Sequence, residues 1–409
     1  MKWVIRMQEY KVIPGGVCAP QGFLAAGVKT GIKSLKKEDV AIIFADRSCS
    51  VAGLYTLNKM CAAPVTVTKN HFADGYGRAI VVNSGCANAC TGDQGMQDAL
   101  SMAKETAEVL GLSITDVAVC STGVIGTFLP MDKVTAGIKT AAAALTEHGH
   151  DGAMQAIMTT DTFVKEISIE LTVAGKAVRI GGMAKGAGMI EPNMATMLAF
   201  ITTDAAIQPA MLQKALHEAV ERSFNAITVD GDTSTNDTVL VLANGAADNP
   251  LIETEDESFQ AFYEALKYVC THLAKLIVRD GEGATKFLEI TVTGAEDFAE
   301  AKLAAKAIAN SPLVKTAFFG QDPNWGRIVA AAGYSGANLD QTKVRLWIGG
   351  HKIVDSGKGT GFEAVNLKQV MAERDIAVTL DLGIGSAQAT VWTCDFSYEY
   401  VRINGEYTT

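Results

Sequence analysis

The sequence predicts an α/β fold, and three observations carry that expectation. Short β-branched runs bounded by glycine or polar residues recur through the first half of the chain, and amphipathic helical stretches alternate with them. From about residue 285 the pattern changes to a compact α+β unit with mostly antiparallel signals. At 409 residues the chain exceeds what one small core needs. The change of pattern places a boundary near 282–286 and divides the chain into 1–284 and 285–409.

In chain order, "VAIIF" (40–44), "VAGLY" (51–55), "PVTVT" (64–68) and "AIVVN" (79–83) read as strands. A helix follows over "GDQGMQDALSMAKETAEVLGL", with Met96, Ala99, Leu100, Ala103, Ala107 and Leu110 on one face and Gly111 placed as the residue that ends it. "DVAVCSTGVIG" (116–126) is a buried strand entering a glycine-punctuated turn, and a helix covers 131–146 after Pro130. "KEISIELTV" (165–173) alternates cleanly and pairs with "KAVRIGG" across Ala174-Gly175, while "TMLAFITTD" is apolar on both faces. Helices are expected at 208–221 and 256–278, with a strand "TVLVLAN" (238–244) between them. The C-terminal unit reads as strand "FLEITVTG", helix 297–310, strand "VKTAFFG", helix "WGRIVAAAG", strands "KVRLWIGG" and "HKIVD", helix 366–373, and strands "IAVTLDLG" and "AQATVWTCDFS".

Charge and cysteine content exclude several functions. A net charge of −10 and the lack of a basic stripe argue against nucleic acid. No run of 18 apolar residues or leader-like N-terminus occurs, so the expectation is a cytoplasmic protein without a membrane partner. Of eight cysteines only Cys86 and Cys90 lie close together, with no histidine nearby to complete a zinc site; free buried thiols and no metal are expected.

The familiar catalytic motifs are absent. "DSGKGTG" (355–361) lacks the spacing of a phosphate loop, and "GYSG" (333–336) is not a nucleophile elbow. "ITVDGDTSTND" (227–237) resembles the first motif of aspartyl-phosphate phosphatases, with Asp230 as nucleophile. Its simpler reading is a turn whose Asp and Ser side chains bond backbone amides. What remains is a set of polar, glycine-rich pieces: "STGVIG" (121–126), "TTDT" (159–162), "KGAGMIEPNMATM" (185–197), "DGEGATK" (280–286) and "NGEYTT" (404–409). Thr122-Gly123 follows a buried strand, where a turn can aim donors at a developing oxyanion. Thr196 opens a strand. Were the bond before it cut, its own α-amine, with a reference pKa of roughly 7.7–8.0, would lie beside the hydroxyl as base.

Together these segments resemble the ornithine acetyltransferase (glutamate N-acetyltransferase) family of arginine biosynthesis. The resemblance is carried by "NSGCANACTG" (83–92), "STGVIG", "IMTTDTF", "KGAGMIEPNMATML", "FNAITVDGDTSTNDT", "RDGEGATK", "QDPNWGRI" and "YVRINGEYTT", in order along nearly the whole chain. It implies a self-cleaving α/β sandwich of the type shared with the DmpA aminopeptidases, with a C-terminal α+β subdomain whose tail reaches the active site. It implies autoproteolysis between Ala195 and Thr196, giving an α chain of 1–195 and a β chain from 196, in an α2β2 assembly. Thr196 would be the nucleophile, taking the acetyl group from N2-acetyl-L-ornithine and passing it to L-glutamate through an acetyl-threonine in a ping-pong cycle. By position, Thr122 and Gly123 match the oxyanion-stabilising pair, and Thr159, Lys185, Thr196, Glu282, Asn404 and Thr409 match the substrate-binding positions. No cofactor is implied; some members use acetyl-CoA as a second donor. The alternative within amide chemistry is a self-cleaving aminopeptidase or amidase using the same threonine.

Overall fold

The computed structural model describes residues 10–33, 37–191, 197–361 and 364–406. Nine strands build the first sheet: β1 (Lys11–Val12), β2 (Phe23–Val28), β3 (Val40–Tyr55), β4 (Tyr76–Cys86), β5 (Val117–Val124), β6 (Glu166–Val173), β7 (Lys176–Lys185), β8 (Leu198–Thr203) and β9 (Thr238–Ala243). Their order is β1-β6-β7-β8-β9-β3-β4-β5, with β2 also on β3.

The strand β3 decides the architecture. Its first part pairs with β2 and β4, its register slips between Phe44 and Cys49, and its last part pairs with β9. A bulge of this kind bends a strand, and here it folds one sheet into two leaves that face each other. Strand alternation then sorts the side chains. Ala41, Ile43, Ile80 and Val82 from one leaf meet Leu198, Phe200, Leu240 and Leu242 from the other in the middle layer. The intervening residues point outward. Val40, Ile42, Val81 and Val119 pack under helices α2 (Gly92–Leu110) and α3 (Met131–Ala143), while α1 (Ala63–His71) packs beside β5. Ala199, Ile201, Val239 and Val241 pack under α5 (Pro209–Glu221) and α6 (Glu257–Arg279). The result is a four-layered α/β sandwich. Helix α4 (His150–Ile157) closes one end of the gap between the leaves. It lies so close to β2 that a Cβ on Gly27 would fall 1.8 Å from the Gly152 carbonyl oxygen.

The second sheet is formed by β10 (Phe287–Ala295), β11 (Arg345–Ile348), β12 (His351–Asp355), β13 (Lys358–Gly359), β14 (Asp375–Asp381) and β15 (Ala387–Cys394). Its order is β13-β12-β11-β14-β10-β15, and only β10 and β14 run parallel. Helices α7 (Phe298–Asn310), α8 (Pro312–Phe319), α9 (Trp325–Gly333), α10 (Ala364–Ala372) and α11 (Tyr398–Glu406) accompany it. Phe287, Trp392 and Cys394 join the core under α6, and the Thr228 amide donates to the Trp392 carbonyl at 3.0 Å, so the sheets share apolar and backbone contacts.

Several sequence expectations change. "PVTVT" alternates like a strand but is the body of α1. Pro64 sits in its first turn, where a fixed φ suits a helix, and Thr68 Oγ1 both donates to the Val119 carbonyl (2.6 Å) and accepts its amide (2.7 Å), anchoring α1 to β5. "VKTAFFG" is helix α8, begun by a Ser311 cap on the Val314 amide and by Pro312. "VAIIF" and "VAGLY" are two ends of one strand, α4 was not foreseen, and the polar tail contains helix α11. Six of the eight cysteines are buried, all are unpaired, and Cys61 and Cys90 are exposed rather than buried.

The middle layer depends on large apolar side chains reaching across from both leaves. Phe200→Ala is therefore expected to lower unfolding stability by about 3–5 kcal/mol, read as a reduced urea midpoint with an unchanged slope.

Candidate active site

At one end of the sandwich the strands β5, β7, β8 and β9 terminate around a cavity. Thr122, Gly123, Thr159, Lys185, Glu282 and Asn404 all line it. Six of the residues singled out from the sequence are thus brought together from five separate segments. Ala195, Thr196 and Thr409 lie outside the described residues; Met189 on one side of the proposed cut and Met197 on the other both line the cavity.

The Thr122-Gly123 corner is fixed by backbone crowding. Gly123 has φ of 130°, and a Cβ there would lie 2.4 Å from the Gly85 carbonyl carbon, because β4 and β5 converge where their register slips. Only glycine fits that conformation and that approach. The "NSGCANACTG" motif builds the neighbouring turn: Asn83 accepts from Ser121 Oγ at 2.5 Å and donates to the Cys86 carbonyl at 2.9 Å.

Lys185 ends β7 as a buried ammonium, 3.4 Å from Thr122 Oγ1. Burial pushes its pKa down and nearby Lys165 adds to that, while Asp161, Asp237 and Glu282 oppose it; the net shift is downward. Beneath it lies a fully buried charge cluster. Lys165 Nζ contacts Asp161 Oδ1 at 2.6 Å and also Asp280 Oδ2. Asp161 additionally accepts the Gly186 amide (2.7 Å) and the Thr159 amide (2.9 Å), and Asp280 accepts the Thr162 amide (2.9 Å) and hydroxyl. Burial alone would raise the Asp161 carboxyl, but Lys165, Lys185 and these donors hold it well below the usual carboxylate range. One lysine therefore ties together "TTDT", "KGAG" and "DGEGATK". At the rim, Asn404 on α11 donates to Glu282 Oε2 at 2.8 Å.

The segment 228–238 grips both sides of residues 192–196. Asp230 accepts the amides of Met189 (2.7 Å) and Ile190 (2.8 Å), Thr233 Oγ1 donates to the Glu191 carbonyl (3.0 Å), and the Thr238 amide donates to the Met197 carbonyl (2.9 Å). Asn236 Nδ2 fastens this segment to the turn after β4 through the Ala87 carbonyl (2.6 Å) and to β5 through the Ser121 carbonyl (2.8 Å). Asp230 is thus a backbone anchor, as the turn reading of "DGDTST" expects. Glu191 pairs with Lys306 on α7 at 3.0 Å.

A model of the ArgJ family matches residues 24–409. The chain belongs to the ArgJ family. The "Arginine biosynthesis bifunctional protein ArgJ" of Symbiobacterium thermophilum is 52% identical over 399 residues, covering 97% of this chain and 99% of that protein. The protein of the same name from Caldanaerobacter subterraneus subsp. tengcongensis is 49% identical over 403 residues, covering 98% and 100%. Among solved structures, a chain of ornithine acetyltransferase complexed with ornithine from Mycobacterium tuberculosis is 40% identical, covers 46% of this chain and all of its own length, and has a TM-score of 0.43. As an ArgJ family member the chain is an acetyltransferase of arginine biosynthesis, and its α/β sandwich is the fold that the resemblance implies. Among the described residues no helix is long and apolar enough to cross a membrane.

Sequence reasoning about this ArgJ family chain passed over the cluster of Lys165, Asp161 and Asp280, and over Asn236 and Asp237. Asp237 lies in the cavity wall, 1% exposed, with Oδ2 buried and lacking a hydrogen-bond partner among the described residues. Its signal was faint: a polar "STND" run directly before a wholly apolar strand.

Removing the shared cation would take the ion-pair partner from two buried carboxylates, Asp161 and Asp280. Lys165→Met is expected to cost about 3–5 kcal/mol of stability, measured by urea unfolding.

Proposed function

We propose that this ArgJ family chain cleaves itself between Ala195 and Thr196, and that Thr196 then carries an acetyl group from N2-acetyl-L-ornithine to L-glutamate. The observation that carries this reading is the grip of segment 228–238 on Met189–Glu191 and on Met197, which holds both flanks of residues 192–196 at the cavity that gathers Thr122, Gly123, Lys185 and Glu282. A peptide fixed on both sides beside a nucleophile is the arrangement an N-to-O acyl shift needs. Cutting would free the Thr196 α-amine as base, leaving the acetyl-threonine as the intermediate of a two-step cycle.

The remaining groups fit those substrates. Both are amino acids with carboxylates, for which buried Lys185 and the Thr122 and Thr159 hydroxyls are suitable partners. Thr122 and Gly123 stabilise the oxyanion of each tetrahedral intermediate. Glu282, aimed by Asn404, receives the ammonium end of ornithine, and Thr409 completes the substrate contacts from the C-terminal tail. We further propose that 1–284 and 285–409 are the two domains, that the two chains assemble as α2β2 in the cytoplasm, and that the enzyme needs no cofactor. The designation of the relatives as bifunctional supports a second donor, and acetyl-CoA with glutamate is the pair to assay.

Intact mass under denaturing conditions should show fragments of 195/409 and 214/409 of 43.1 kDa, about 20.5 and 22.5 kDa. Thr196→Ala should remain whole and inactive; an uncut wild-type chain that transfers acetyl groups at full rate would overturn the assignment. Gly123→Ala, which drives a Cβ into the Gly85 backbone, should lower kcat for acetyl transfer by about 100-fold or more, measured with acetylornithine and glutamate.

A further inference from the structure

We propose that Asp237 is the proton carrier for the amino groups that leave and enter the site, a role that rests on Thr196 being the acyl-accepting nucleophile. Four observations place it there. Asp237 lines the cavity and is 1% exposed, and its Oδ2 meets no hydrogen-bond partner among the described residues. It directly precedes Thr238, whose amide donates to the Met197 carbonyl, so it stands beside the start of β8 where the new chain would begin. The backbone that carries it is fixed on both sides, by Asn236 Nδ2 on the Ala87 and Ser121 carbonyls and by the Asp237 carbonyl accepting the Thr56 amide at 2.9 Å. Every other buried acid around the cavity floor is occupied: Asp161 and Asp280 by Lys165, Glu282 by Asn404, and Asp230 by the amides of Met189 and Ile190. A buried carboxyl open to a cavity is the group on hand to exchange a proton with a bound amine.

The charged and titratable groups around Asp237 are Lys185 from β7, Cys61 ahead of α1, and, across the cavity, Glu282 beyond α6. Burial raises the Asp237 pKa well above its ordinary value, against the opposing hydrogen bonds of Ser234 and the charge of Lys185. The acid form is therefore available in a range where surface aspartates have none.

The proton count closes over the cycle. In the first half-reaction the Thr196 hydroxyl proton passes to the Thr196 α-amine as Oγ attacks the acetyl carbon. The C–N bond breaks, and Asp237 gives its proton to the departing nitrogen, leaving a carboxylate. In the second, the amine of the acceptor attacks the ester carbon and yields a proton to Asp237, while the α-ammonium returns its proton to Thr196 Oγ as the C–O bond breaks. Asp237 begins and ends as the acid.

The test separates an amine leaving group from one that needs no proton. With 4-nitrophenyl acetate the phenolate departs unassisted; with acetylornithine the nitrogen must be protonated. Single-turnover acylation of Asp237→Asn by acetylornithine should fall by about 100-fold or more, while acylation by 4-nitrophenyl acetate changes by less than about 5-fold on the same scale. Equal losses with both donors, or no loss with acetylornithine, would overturn the proposal. Because the acid form is required, wild-type acylation by acetylornithine should fall as pH rises through the Asp237 pKa, and acylation by 4-nitrophenyl acetate should show no such fall. A fall that persists in Asp237→Asn belongs to Lys185 and counts against the proposal. Should Asp237→Asn remain uncut, the two donors are compared in Lys185→Arg, whose charge does not titrate in this range: an alkaline fall confined to acetylornithine and retained there supports the role, and a fall that is lost there or profiles that run parallel exclude it. Peptide mass mapping of wild type acetylated by 4-nitrophenyl acetate tests the nucleophile separately, since acetyl found away from Thr196 would refute that reading whatever Asp237→Asn does.

Discussion

One buried ammonium, Lys165, shared by two buried carboxylates holds the site together. Asp161 and Asp280 come from loops far apart in sequence, and each spends its remaining acceptor capacity on backbone amides or hydroxyls of the motif loops. Charges so deeply placed are tolerated only when paired and fully bonded. The arrangement is therefore all-or-none: the three loops adopt their positions together. Lys185 inherits its place from this cluster, because Gly186, the next residue, donates its amide to Asp161.

A second layer of control lies in segment 228–238. Its side chains and amides bond the loops on either side as well as one another. Asp230 holds the backbone ahead of residues 192–196, the Thr238 amide holds Met197 after them, and Asn236 sets both against the Thr122 corner. The segment thus behaves as a clamp whose jaws are hydrogen bonds to the main chain. Such bonds are insensitive to side-chain identity at the clamped positions, which leaves those positions available for chemistry.

Charge is distributed unevenly across the cavity. Lys185 is pushed toward neutrality by burial and Asp237 toward its acid form, each for the same reason of lost hydration. The cavity wall thus carries two groups of opposite type that are both easier to neutralise than usual.

The sequence by itself determined the elements with clear periodicity: β6 and β7 with their two-residue turn, the wholly apolar β8 and β9, the amphipathic α2 and α6, and the antiparallel character of the C-terminal unit. Glycine spacing and polar pieces at strand ends marked tight turns, and the resemblance to the ornithine acetyltransferase family picked out within them six of the residues that line the cavity. The sequence misled at α1 and α8, where contacts with β5 and a helix cap outweigh local alternation. Only the tertiary structure decided that β3 is one bent strand, because a bend is set by which partners lie on each side. Only it decided that Lys165 serves two distant acids and that Asp237 faces the cavity with its Oδ2 unpartnered among the described residues, because burial and pairing are properties of where the chain returns, not of what neighbours a residue in sequence.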